Sequence, residues 1–435
     1  MTACSRAATV ALHHIGCRLN QAEIEALADH LRRRGFGIVP FAGQADVYVI
    51  NTCTVTRAGD ADSRRAVRRA RLLNPEATVV ATGCYAQRRP DELRGAGADL
   101  VLGNGDKSNL VQCLENHLEG RSQAPAAALG TGRFLPIEGA VPHGRTRGAL
   151  QVQDGCSEHC TYCVIPSVRG PSVSRPLAQV VAQARVMVDS GYRELHLTGV
   201  NTGAYGRDRD GAESLAGLLK ALLQVDNLLR VRLGSVEPRE VSEALIDLVA
   251  DSPRVCRHFH VPLQSGDDDV LRRMGRRYTA AGYAERLVRV AHAVPDCAIG
   301  ADVLVGFPGE TEAAFANTVA LIRQLPLTYL HVFPYSVRQG TPASRWSDTP
   351  PPAVTRARVQ ELIELGQGRR QQFHQGFVGR LLGVLVEDQR DGVGSGLSDN
   401  YVKATFAGVR TLPNALVTVR VTQADTDGVR AEVLP

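Results

Sequence analysis

No stretch of this chain approaches the roughly 18 uninterrupted apolar residues of a membrane span. Its start, MTACSRAATVALHHIG, has no basic region leading into a long apolar run. A spanning segment and an export signal are therefore not expected, and a soluble cytoplasmic protein is. Lysine is nearly absent, confined to Lys107, Lys220 and Lys403, so almost all positive charge is arginine. A GC-rich genome is the simpler source of that bias, ahead of selection for phosphate-binding forks. The net charge of +5 permits nucleic-acid binding without demanding it. With 44% hydrophobic and 22% charged residues, neither a disordered nor a collagen-like chain fits. No tandem repeat is visible. The ten cysteines do not read as a disulfide scaffold in a chain without an export signal, because the cytosol keeps thiols reduced. Metal binding or catalysis is the expected use.

A length of 435 residues predicts about three domains. In residues 1–120 a strand-then-helix pattern repeats four times, at VALHHI, VYVIN, TVVAT and LVLG, which implies a small parallel α/β sheet. Residues 121–148 are rich in Pro, Gly and small side chains with a net charge of +3 and read as a linker. In residues 149–375 the alternation resumes on a larger scale. Strand candidates ALQVQ, ELHLTG, LRVRLGS, HFHVPLQ, AIGADVLVG and YLHVFPY predict a partial barrel of six βα units. After Pro350–Pro352, VTRARVQELIELGQGRRQQFHQ reads as one long helix. Residues 376–435 carry short β-rich runs, LLGVLVED, YVKATF, ALVTVRV and VRAEVL, and predict a small all-β barrel of about five strands.

The segment DGCSEHCTYCVIPSVRG places Cys156, Cys160 and Cys163 on a glycine-punctuated loop after the first barrel strand. Strand C-termini are where α/β active sites form. Three thiolates this close can hold three irons of a [4Fe–4S] cube and leave the fourth open. Zinc, with His159 or a distant side chain as fourth ligand, is the alternative, but structural zinc favours paired Cys-x-x-Cys hooks and no second pair exists. With Tyr162 immediately before the third cysteine, the triplet resembles the signature of radical S-adenosylmethionine (SAM) enzymes. That resemblance implies an open iron that chelates SAM, and reductive cleavage to a 5′-deoxyadenosyl radical. Other strand ends suit the cofactor pocket: Gly199 and Asn201 in LTGVNTG, Ser235 and Glu237 in GSVEP, Gln264 in VPLQSG, and Asp302 and Val305 in ADVLVGFPGET. Glu237, before Pro238, reads equally as a helix-starting carboxylate, and Asp302 as a polar barrel filler.

A second trio, Cys17, Cys53 and Cys84, ends three apolar strands, with separations of 36 and 31 residues. Parallel strands put their C-terminal ends on one sheet edge, so these thiols converge without a local motif. The convergence suits another [4Fe–4S] cluster; small cysteines packed beside glycines are the alternative. GCRLNQAE, INTCTVT and TGCYAQ, taken with DGCSEHCTYCVIPSVRG, FHVPLQSG and DVLVGFPGET, resemble the methylthiotransferase family of radical SAM enzymes across essentially the whole chain. The resemblance implies an auxiliary cluster on Cys17, Cys53 and Cys84, a SAM cluster on Cys156, Cys160 and Cys163, two SAM per turnover, and a C-terminal TRAM RNA-binding barrel. Cys4, Cys113, Cys256 and Cys297 fit nothing similar and are expected to be structural.

RNA binding should show as basic surface. ADSRRAVRRARL groups Arg64, Arg65, Arg68 and Arg69 on one side of a helix, with Arg57 nearby. A solvated surface helix is the alternative. Residues 376–435 hold six basic and seven acidic residues, so RNA contacts at Arg380, Lys403 and Arg410 rest on the TRAM resemblance alone. The expected activity is insertion of a methylthio group at C2 of N6-threonylcarbamoyladenosine next to the tRNA anticodon. Expected partners are the tRNA anticodon stem-loop and an electron donor of flavodoxin or ferredoxin type; no membrane partner is expected, and the chain is expected to be a monomer. Isopentenyladenosine is the close competing substrate. A third branch modifies a ribosomal-protein aspartate and carries Pro-Lys after its first cysteine, where this chain has Arg18 and Leu19. The rival of a different class is a non-catalytic zinc- and RNA-binding protein.

Overall fold

A computed structural model describes residues 8–121, 134–138, 146–209, 213–407 and 413–434. The N-terminal sheet comprises β1 (Thr9–His14), β2 (Gly37–Val39), β3 (Val47–Thr52), β4 (Thr78–Gly83) and β5 (Leu100–Leu102). All are parallel, in the order β2-β1-β3-β4-β5. Every residue of β3 is buried, as expected when helices cover both faces of a parallel sheet. Strand β2 is the one the sequence did not disclose, since three residues of GIV are too short a run to show alternation. The order reverses between β1 and β3, and that switch point opens a crevice at the strand C-termini. Helices α1 (Arg18–Arg33) and α2 (Arg57–Leu73) leave from that edge, the second capped by Thr56, whose hydroxyl accepts from the Gly59 amide.

All six expected barrel strands are present: β6 (Arg147–Gln151), β7 (Glu194–Thr198), β8 (Arg230–Arg232), β9 (His258–His260), β10 (Ala298–Val305) and β11 (Tyr329–Pro334). They form two parallel three-stranded sheets, β8-β7-β6 and β9-β10-β11. Isolated bridges Val231–Val255 and Ser235–His260 join the sheets into one open wall in chain order. The long helix runs from Pro352 to Gln375. The described part of the 121–148 segment is not a loose tether. Leu135 and Ile137 are buried, Ile137 exchanges both backbone bonds with the Gln183 amide, and the Pro136 carbonyl meets His30 of α1.

The C-terminal strands β12 (Leu381–Arg390), β13 (Val393–Ser398), β14 (Lys403–Ala407), β15 (Leu416–Ala424) and β16 (Val429–Val433) close a barrel in the order β12-β13-β14-β16-β15. Its fifth strand is β13, VGSGLS, whose glycines hide its strand character. Gly396 lies so close to the Leu385 carbonyl that a side chain would collide with it. This barrel is bolted to the central one. Glu194 on β7 pairs with Arg230 and Arg232 on β8, and the same guanidiniums donate to the carbonyls of Leu397, Ser398 and Asp399. Glu194 and Arg232 are wholly buried. Among the described residues, no helix is long and apolar enough to cross a membrane.

Candidate active site

Cys17, Cys53 and Cys84 follow β1, β3 and β4, two of them flanking the switch point. Gly16, at φ +86°, lets the chain pass close by, because a Cβ there would lie 2.8 Å from the Cys53 sulfur. The thiols share one electrostatic neighbourhood: negative charge on Cys17 or Cys84 would raise Cys53 further. Burial pushes Cys53 up to about 12 and raises Cys17, which is exposed and opens onto the cavity described below. Each sulfur receives an N–H donor: the Asn20 amide for Cys17, the Val55 amide for Cys53, and Arg169 Nε at 3.1 Å for Cys84.

The second trio lies between β6 and the short helix Ile165–Arg169. Here too every sulfur has a donor. The Glu158 amide reaches Cys156 at 3.4 Å, the Ile165 amide reaches Cys163 at 3.5 Å, and Arg276 Nη1 reaches Cys160 at 3.3 Å. Burial pushes Cys156 up to about 11 and Cys163 up to about 12, and neighbouring thiolates push the same way. Thiols this hard to ionise become thiolates on coordination, and the donors then meet anionic sulfur. In neither trio do all three sulfurs lie within 4.8 Å of one another. A single tetrahedral zinc, with Zn–S of about 2.3 Å, needs sulfurs about 3.8 Å apart. The spread therefore does not fit one zinc ion, and the three-thiolate donor set is one that suits a polynuclear cluster.

A cavity of about 550 Å³ opens between the N-terminal sheet edge and the barrel. Gly16, Cys17, Arg18 and Cys53 form one side; Gly199 and Ser235 lie just past barrel strands and Asp302 lies within β10; Tyr401 of the C-terminal barrel also lines it. The barrel adds four histidines, 196, 258, 260 and 331. Asp302 Oδ1 meets His260 Nε2 at 3.0 Å and His331 Nδ1 at 3.2 Å. Burial alone would raise the Asp302 carboxyl, but the two imidazoles hold it well below the usual carboxylate range. His196 and His258 are pushed well below their ordinary value, chiefly by burial and further by the charges of Arg18 and Arg232. His258 Nε2 lies 2.8 Å from the Tyr329 hydroxyl, while Nδ1 of both His196 and His258 is buried without a partner.

Three of the residues expected to bind cofactor, Gly199, Ser235 and Asp302, line this cavity. Glu237 pairs with Arg276, which also touches Cys160, and burial raises the Glu237 carboxyl. Tyr162 packs edge-on to Phe307 beside the same thiols. Asn201 is buried, with Nδ2 on Glu240 at 3.2 Å, and burial pushes Glu240 up to about 7. Gln264 takes φ +64° and bridges to Val303; Val305 is buried. The sequence reading missed Arg169, Arg276, Glu240 and the histidines. The histidines had a signal, since His196, His258, His260 and His331 each interrupt an apolar strand run.

The basic residues divide. Arg65, Arg68 and Arg69 of α2, and Arg57 at its start, are exposed, whereas Arg64 turns back to Tyr85 and Glu92. Lys403 is exposed, Arg380 is ion-paired with Asp296, and Arg410 lies outside the described residues.

The Radical SAM superfamily matches residues 150–322, and the uncharacterized protein family UPF0004 matches residues 9–103. The threonylcarbamoyladenosine tRNA methylthiotransferase MtaB of Bacillus subtilis (strain 168) is 37% identical over 96% of this chain and 94% of that protein. MtaB of Aquifex aeolicus (strain VF5) is 38% identical over 90% and 95%. The tRNA-2-methylthio-N(6)-dimethylallyladenosine synthase of Geobacter metallireducens is 32% identical over 96% of each. Among solved structures, the radical S-adenosylmethionine methyltransferase TsrM of Kitasatospora setae, with cobalamin and a [4Fe–4S] cluster bound, superposes with a TM-score of 0.57. At 19% identity over 78% of this chain and 74% of that one, the likeness concerns the fold.

Proposed function

This chain belongs to the radical SAM tRNA methylthiotransferases, and from that premise we propose that it inserts a methylthio group at C2 of N6-threonylcarbamoyladenosine beside the tRNA anticodon. The observation that carries the proposal is the cavity with Cys17 and Cys53 on one side and the barrel strand ends on the other. A base seated there lies against Cys17 and Cys53 of the first trio and faces the barrel wall. Cys17, Cys53 and Cys84 would hold one [4Fe–4S] cluster, and Cys156, Cys160 and Cys163 the other with SAM. When bound, these cofactors supply a hydrogen-abstracting radical and the sulfur that is inserted.

The chain's own contribution is binding, orientation and shielding. Arg169 and Arg276 place positive charge against one sulfur of each trio, which favours anionic thiolates over neutral thiols. Glu237 and Asn201 at the barrel strand ends suit the amino and ribose groups of SAM. Arg57, Arg65, Arg68 and Arg69 present charge to the RNA backbone, alongside Lys403. The rival substrate is isopentenyladenosine, consistent with the 32% identity to the Geobacter metallireducens enzyme. Nucleoside mass spectrometry of tRNA from a deletion strain tests the choice: the methylthio mark should vanish from threonylcarbamoyladenosine and persist on isopentenyladenosine. The reverse result would reassign the substrate.

A further inference from the structure

The cavity contains one charge that nothing in the fold uses. Arg18 follows Cys17 directly and lines the cavity, yet its side chain forms no ion pair or hydrogen bond with any described residue. Its charge is felt at both His196 and His258, which places the guanidinium in the field of the barrel histidines. The other charged residue lining the cavity, Asp302, is already engaged through Oδ1 by His260 and His331. Two further polar atoms of lining side chains are buried without partners, Nδ1 of His196 and Nδ1 of His258, in residues that are 8% and 3% exposed. An unpaired cation beside unfilled hydrogen-bonding atoms is complementary to an anionic, polar ligand, and would be left desolvated and unsatisfied by an apolar one.

We propose that Arg18 is the specificity determinant of this enzyme, pairing its guanidinium with the carboxylate of the amino-acid substituent on N6 of the target adenosine. The inference rests on the proposed substrate and deepens it. In adenine, C2 and the N6-bearing carbon flank the same ring nitrogen, N1. A base that turns C2 toward Cys17 and Cys53 therefore carries its N6 arm to the residues next to them, and Arg18 is the nearest in sequence. A threonylcarbamoyl arm offers a carboxylate for the guanidinium fork, and a urea and hydroxyl for the imidazoles. An isopentenyl arm offers none of these.

The test uses the anaerobically reconstituted full-length enzyme and anticodon stem-loops that differ only at the target base. The base carries the threonylcarbamoyl acid, its uncharged carboxamide, or an isopentenyl group. Affinity is read by fluorescence anisotropy, and KM and kcat by mass spectrometry of the product. For the wild type, the carboxamide should bind about 10- to 100-fold more weakly than the acid. Arg18→Gln should weaken the acid by a similar factor and the carboxamide hardly at all, while Arg18→Lys keeps part of the preference for the acid. Equal weakening of acid and carboxamide by Arg18→Gln would overturn the proposal and assign Arg18 to the RNA backbone. The acid-to-carboxamide ratio of the wild type stands whether or not the variants fold, and a ratio near one also overturns it. Turnover of the isopentenyl stem-loop alone would instead refute the underlying substrate assignment.

Discussion

Arg169 sets its Nε 3.1 Å from the sulfur of Cys84, although the arginine ends the short helix after the barrel's cysteine loop and the thiol follows β4 of the N-terminal sheet. A side chain six residues after Cys163 in sequence thus reaches a thiol of the other trio. The same guanidinium bonds Glu23, Asp154 and Asn20, and its side chain is 1% exposed. Burial alone would raise the Glu23 carboxyl, but Arg169 and Lys107 hold it at about 2. The contact is therefore a polar joint between two domains, closed to water and satisfied on both sides.

Breaking that joint should be costly. Arg169→Met leaves Glu23 and Asp154 without their shared cation, and removing one partner of a buried ionic group costs about 3–5 kcal/mol. A drop of that order in the urea midpoint stability is expected, with loss of iron from the N-terminal trio before the barrel trio. A variant as stable as the wild type would show that the joint contributes nothing.

The two trios should separate in function. Cys53→Ala should abolish methylthiolation and leave reductive release of 5′-deoxyadenosine measurable, with iron falling from about eight to about four per chain. Cys160→Ala should eliminate both reactions. Equal loss of both activities in Cys53→Ala would mean that the division of roles is misassigned.

Acid should loosen the seam between the barrels. Burial would raise Glu194, but Arg232 and Arg230 hold it far below its ordinary 4.5. A carboxylate whose folded pKa is depressed contributes stability that is complete above the unfolded pKa and is lost as pH falls below it. Thermal stability should therefore decline as pH drops below about 4.5. Glu194→Gln should flatten that part of the profile while lowering stability at neutral pH by about 3–5 kcal/mol, because Arg230 and Arg232 stay buried. Calorimetry across pH 3–7 checks both outcomes.

If α2 tracks the RNA backbone, Arg68→Ala and Arg69→Ala should each reduce the slope of log affinity against log salt by about 1, without changing the preference among bases. Filter binding of tRNA at several salt concentrations measures it. An unchanged slope would leave α2 as a solvated surface helix.

Much of this architecture was readable from periodicity, because apolar strand runs and helical stripes state their own type. All six barrel strands and four of the five N-terminal strands were legible in that way. β2 and β13 were not, the first because three residues carry no period, the second because Gly394 and Gly396 answer to close backbone contact and not to propensity. The thiol trios were legible because cysteines at strand ends repeat in phase with the βα unit. Arg169, Arg276 and Arg18 were not assigned roles, since an arginine's reach is set by tertiary packing and one in an arginine-rich chain looks like any other. The free state of Arg18 is a property of what surrounds it, which only three dimensions reveal.

The buried pairing of Glu194 with Arg230 and Arg232 also bears on how a large substrate enters. Because it fixes the β12–β16 module in place and sets Tyr401 into the cavity wall, that module is no arm swinging on a leash to fetch its cargo. A tRNA substrate must instead fit a mould already cast, with the geometry of the opening deciding what can thread a base inside.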